Sequence, residues 1–238
     1  MKSNSFWLAF LLLTFIVTLP ISWWGMSKVD FFYSGLHDLI KIDKHIQTYA
    51  PRNRFDKKEF ELTSKAERVN LFKGVVVAIH HQGVGLDTLS YTRASNQQVV
   101  RLFTEAEILH LKDVAFLLEK LKPIIVAITL CWLVTILWVT KKPVKLPSAI
   151  TLSKLALYLL ITIALVFSFG PEKIFNQLHI WVFPENHQWF FYYEDSLMST
   201  MMKAPFLFAY ISAIWAFISI ILTILILKLL HLTQGVLR

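Results

Sequence analysis

His110 sits three residues after Glu107 and three before Asp113, in the run Phe103-Thr-Glu-Ala-Glu-Ile-Leu-His-Leu-Lys-Asp-Val114. On a helix turning about 100° per residue, both carboxylates fall about 60° to either side of the imidazole. A covered histidine between two carboxylates can be held in one tautomer with raised basicity, which suits a general base. A lone histidine on an apolar helical face is also a common hydrogen-bonded core residue, so this spacing alone does not decide. A second cluster lies between Pro171 and Asp195, where His179, His187 and Asp195 are interleaved with Phe175, Trp181, Phe183, Trp189, Phe190, Phe191, Tyr192 and Tyr193. Phe175 and Asn176 precede His179 by four and three residues and share its helical face. One or two rings per helix end suffice for an aromatic belt at lipid headgroups. This density predicts a lined pocket instead.

The elements that must carry these groups are helices. Thr104 followed by Glu107 is a capping box, so a helix starts there. Glu105, Lys112 and Glu119 form its solvated side, and His110 falls in the opposite stripe with Phe103, Val114 and Leu117. The helix heads through Lys120-Leu-Lys-Pro123 into an apolar run. Such runs dominate the chain: of 238 residues 55% are hydrophobic and 14% aromatic, and mean hydropathy is +0.54. A bilayer core takes about 20 apolar helical residues. Phe6–Trp24, Ile124–Thr140, Ser148–Phe169 and Pro205–Leu230 meet that need. The expected fold is an all-α integral membrane protein with four transmembrane helices and a mostly helical extracytoplasmic cap. Its divisions are helix 1 at 1–25, cap at 26–120, helix 2 at 121–140, loop at 141–147, helix 3 at 148–170, aromatic outer loop at 171–204, helix 4 at 205–230 and tail at 231–238.

Lys141, Lys142 and Lys145 crowd the loop between the second and third spans without an acidic residue. By the positive-inside rule that loop and both termini are cytoplasmic, and the long segment 26–120 translocates largely regardless of its charge. The formal charge of +8 then reads as topology and contact with anionic lipid. No nucleic-acid motif accompanies it. Cys131 is the single cysteine, which excludes an intrachain disulfide and a cysteine-based metal site. In the cap, 29–46 patterns as an amphipathic helix and 50–62 as an exposed loop. Ser64 and Glu67 cap a helix that runs to His80-His81 and closes at Gly83 and Gly85. Thr88–Gln98 reads as polar loop. Gly170-Pro171 stops the third span and restarts a helix.

Two stretches resemble the lipoprotein intramolecular transacylase (Lit) family of small bacterial membrane proteins. The motifs are Glu107-Ile-Leu-His110-Leu-Lys-Asp113-Val114 before the second span, and Phe175-Asn176-x-x-His179…Phe183-Pro184…Trp189…Asp195 with Pro205 after the third. The resemblance implies an enzyme of the bacterial cell membrane acting on a diacylated lipoprotein at the outer leaflet, with no cofactor. The sn-2 acyl chain of the diacylglyceryl-cysteine moves to that cysteine's own α-amino group, giving the lyso form. Amine and ester belong to one molecule, so neither an enzyme nucleophile nor water is required.

Under that reading His110 is the first choice for general base, oriented by Glu107 or Asp113. His179 is the partner acid, supported by Asn176, and sequence leaves the two roles interchangeable. Arg93, Trp189, Tyr192 and Tyr193 are candidate oxyanion donors, and Asp195 supports the site. Phe175, Trp181, Phe183, Phe190 and Phe191 are expected to line the substrate pocket. His187 and the His80-His81 pair read as structural, because nothing in their spacing recruits a carboxylate. Three rivals remain. Glu107-x-x-His110 with His179 or His187 could hold zinc, though the second Glu-x-x-His of a di-metal bundle is missing. A non-catalytic lipid- or partner-binding module would need only the aromatics. A lipid hydrolase would need a Gly-x-Ser-x-Gly elbow, which is absent.

Overall fold

Without water to bond the backbone, apolar runs of this length must satisfy their amides internally, and helices do so. The computed structural model describes residues 2–141 and 170–236, with isolated helical positions at 150, 154, 157, 158, 161, 165 and 168. Among the described residues three helices are long and apolar enough to cross a membrane: Ser5–Ser27, Glu105–Lys141 and Phe206–Leu230. Most of the expected third span, and the lysine loop before it, lie outside the described residues.

The chain divides into two compact units, 1–25 with 122–171 and 213–238, and 26–121 with 172–212. In the first, α1 (Lys2–Ser27) continues through Pro20. It meets α8 (Phe206–Val236) through polar contacts in an apolar setting. Ser22 and Ser219 share a hydroxyl bond of 2.6 Å, and Trp215 Nε1 donates to the Leu19 carbonyl at 2.8 Å. Trp132 donates to Thr14 Oγ1 at 3.0 Å. Trp7 and Phe10 pack with Val139 and Leu230. Lipid gives no hydrophobic drive to join helices, so packing and such bonds hold them.

The second unit holds α2 (Tyr33–Leu39), α3 (Ile42–Tyr49), α4 (Lys65–His80), α6 (Pro171–Val182), α7 (Leu197–Met202) and the first turns of α5 (Glu105–Lys141). Its core forms around Tyr33, which stacks on Phe72 at 4.1 Å and donates to the Met201 carbonyl at 2.8 Å. Arg68 is 1% exposed. Its guanidinium donates to Asp43 (2.6 Å), Thr63 Oγ1 (2.9 Å) and the Glu61 carbonyl (2.9 Å).

Three expectations change here. The single amphipathic helix over 29–46 is broken. Asp30, Phe31, Phe32 and Lys41 take left-handed φ, which reaims the chain so that Phe31, Tyr33, Leu36, Ile42 and Ile46 are all buried. The fold is not wholly helical: β1 (Ser90–Thr92) pairs antiparallel with β2 (Val99–Arg101), inside what reads as loop. Tyr91 anchors that hairpin, edge-on to Phe60 and bonded to the Lys58 carbonyl at 2.7 Å. At the end of α4 a left-handed Gln82 (φ 58) precedes the expected glycines, and Gly83 N–H reaches back to the Ala78 carbonyl at 2.8 Å, closing the helix end. Gly83 (φ +79) is needed for space as well, since an added Cβ would lie 2.7 Å from Lys112 Cγ on α5.

Candidate active site

The capping box that starts α5 is formed: Thr104 N–H donates to Glu107 at 2.6 Å and Glu107 N–H to Thr104 Oγ1 at 3.3 Å. This fixes the helix phase one turn before His110. On α6, restarted by Pro171 after Gly170 (φ +83), His179 faces the same cluster. The rings of His110 and His179 lie 5.9 Å apart, tilted by 31°.

Aromatic side chains enclose the pair. Phe183 touches both imidazoles, at 5.0 Å from His110 and 5.1 Å from His179. Phe175 and Trp189 lie 4.0 and 5.0 Å from His179, and Phe191 lies 6.1 Å from His110. His110 is 8% exposed, and its Nδ1 is buried with no hydrogen-bond partner. His179 Nδ1 lies 2.8 Å from the Phe175 carbonyl. A carbonyl only accepts, so Nδ1 carries the proton and Nε2 keeps its lone pair.

Both rings belong to the second unit, ahead of the apolar run 124–140 or beyond the third. Burial pushes His110 down to about 4, with the neighbouring His179 adding to the fall and Asp113 opposing it. Burial also lowers His179, against its bond to the Phe175 carbonyl. The pair is therefore neutral at ordinary pH.

The expected orienters of His110 are engaged elsewhere. Glu107, fully buried, accepts from Ser196 Oγ at 2.6 Å and Met198 N–H at 2.9 Å, besides its own cap. It joins the start of α5 to the start of α7. Asp113 pairs with His187 Nδ1 at 2.7 Å, so His187 does recruit a carboxylate, from across the chain. The bond to His179 comes from Phe175, and no side-chain bond of Asn176 accompanies it among the described contacts. Arg93 is bound to Asp56 and Gln98 beside the hairpin. Tyr193 donates to the Ala204 carbonyl at 2.5 Å and packs on His45 and Tyr49. Asp195 holds Arg54 at 3.3 Å. Tyr192 and Phe190 stack edge to face and are exposed, as is Trp181. Ser196 was missed; its signal was a helix cap, Ser196 Oγ accepting from Ser199 N–H at 2.9 Å. Among the described residues no three of His, Cys, Asp and Glu converge as a metal ion requires.

The apolar helices mark a membrane protein. A family model, lipoprotein intramolecular transacylase Lit, matches residues 4–207, and the chain belongs to that family. It is thus an acyltransferase with lipoprotein substrates. No curated protein and no solved structure matches it.

Proposed function

We propose that this enzyme moves the sn-2 acyl chain of a diacylglyceryl-cysteine to the α-amine of the same cysteine, with His179 carrying the proton and His110 stabilising the oxyanion. The observation that carries this reading is the approach of two neutral imidazoles, from distant stretches of chain, inside an aromatic enclosure. The ring to be closed runs through nitrogen, Cα, Cβ, sulfur, two glycerol carbons, the ester oxygen and the carbonyl carbon. Medium rings seldom close unaided, and positioning supplies several kcal/mol of such a barrier. Phe183, touching both imidazoles, would hold the folded head between them while the acyl chains remain in lipid.

The tautomer of His179 supports giving it both proton transfers, in place of the base role expected of His110. Its Nε2 accepts the proton that the amine sheds on attacking the ester carbonyl. His110, kept neutral by burial, donates an N–H to the developing oxyanion, as neutral imidazoles can. The proton on His179 then passes to the departing glycerol oxygen as the C–O bond breaks, and both rings end as they began. The amide N–C bond forms, the ester C–O bond is lost, and the total mass of the lipoprotein stays constant. The segment 26–120 and the loop 171–204 form the extracytoplasmic side in this reading, with the enclosure at the outer leaflet.

Mass spectrometry of a lipoprotein from cells with and without the protein tests it. The expected result is one acyl chain shifted from oxygen to nitrogen at unchanged mass. Loss of an acyl mass indicates hydrolysis and overturns the proposal.

A further inference from the structure

Acyl transfer from an ester to a neutral amine is balanced in protons, but the α-amine of a peptide has a pKa of about 8 and reaches the enzyme chiefly as ammonium. One proton per turnover must then leave for water. The neutral pair His110 and His179 cannot keep it, because each must be free of it to begin the next step. We propose, resting on the transfer reading above, that Asp113 and His187 form a second proton site that takes this proton from the substrate ammonium and passes it to solvent.

The geometry is that of a carboxylate-backed base. Asp113 Oδ2 accepts from His187 Nδ1 at 2.7 Å, which leaves Nε2 as the acceptor of the neutral ring. Both members are close to the ring cluster along the chain. Asp113 is three residues beyond His110 on α5, on an adjoining face, and acts on His110 electrostatically. His187 lies on the short stretch whose Phe183, Trp189 and Phe191 touch the two catalytic candidates. Both members keep a path to water, with side chains 17% and 25% exposed. Asp113 also lines a cavity of about 490 Å³ with Gln82, Lys112, Phe116 and Glu119.

Asp113, which bonds His187, shares its cavity on α5 with Lys112 and Glu119. On its own loop Glu185 is two residues away. The ring pair is neutral and adds no charge. The step itself is simple: the ammonium N–H bond breaks, the His187 Nε2–H bond forms, and water removes that proton afterwards. The amine left behind is the nucleophile of the transfer.

The test is the pH dependence of kcat/KM on a synthetic diacylated lipopeptide, with purified full-length protein and the O-to-N product read by mass spectrometry. With the relay, the wild-type value stays level across the ionisation of the amine, from about pH 8 down to about pH 6.5. His187→Gln is expected to fall about tenfold over that span and to regain most of the loss as the amine becomes neutral. Asp113→Asn is expected to show the same slope, and serves alone if His187→Gln does not fold. Curves for variant and wild type that run parallel overturn the relay, as does a wild-type value that itself follows the amine. Free fatty acid in place of N-acyl product overturns the transfer reading instead, so the two failures are distinct.

Discussion

Glu107 Oε1 accepts the Ser196 hydroxyl at 2.6 Å, fully out of water and far along the chain. That bond, with the one from Met198 N–H, makes a single carboxylate the cap of two helices. It fixes where α7 begins against the helix that bears His110. The residue is a positioning group. Glu107→Ala strips partners from three donors at once and is expected to cost roughly 2–4 kcal/mol, hydrogen bonds to a charged group being the stronger kind. Glu107→Gln keeps an acceptor and is expected to lose less. Thermal unfolding in detergent compares them.

Loss of either ring at the centre should be felt in chemistry before stability. His110→Ala and His179→Ala are each expected to lower O-to-N transfer by about a hundredfold or more, the usual scale for an oxyanion donor and for a general acid or base. A binding module without catalysis would keep its function in both. Single-turnover transfer on a diacylated lipopeptide gives the answer.

Acid is expected to destabilise the second unit through His110. Unfolded, the imidazole takes up a proton near its ordinary value of about 6.5; folded, it resists down to about 4. Between those values the unfolded state binds more protons, so stability is full above the upper one and declines as pH falls toward the lower. His110→Gln should flatten this part of the curve, measured as melting temperature against pH.

Gly83, just past the end of α4, lies against Lys112 of α5. Gly83→Ala adds a Cβ 2.7 Å from Lys112 Cγ in a left-handed backbone, and is expected to cost about 1–3 kcal/mol. Chemical denaturation of the purified protein checks this.

Phe183 is the ring shared by both histidines. Phe183→Ala loosens both imidazoles together and is expected to reduce kcat about tenfold, since small misplacements at reacting groups are costly. Steady-state assay with a fold check by circular dichroism separates this from unfolding.

Local signals carried much of this architecture. Capping boxes at Ser64 and Thr104 predict helix starts at the residues where α4 and α5 begin, because a cap is written within four residues. The pairing of His110 with His179 rests on family motifs; helical periodicity places each on a face and says nothing of their meeting. The left-handed turns at 30–32 and Lys41 were illegible because no glycine marks them, and tertiary burial of Phe31 and Ile42 overrides local preference. The hairpin at 90–101 hid behind its polar turn. Glu107 and Asp113 bond to neighbours other than the expected His110. Their partners, Ser196 and His187, arrive from another part of the chain, and sequence spacing has no access to that distance.

α6 presents His179 to the enclosure on one side and Leu178, Ile180, Trp181 and Val182 to the outside on the other. That outer side is greasy enough that a fragment of residues 26–121 and 172–212 made without its hydrophobic anchors would self-associate in plain buffer. Soluble versions will call for repainting those four positions with polar side chains, a change that leaves the imidazole side untouched.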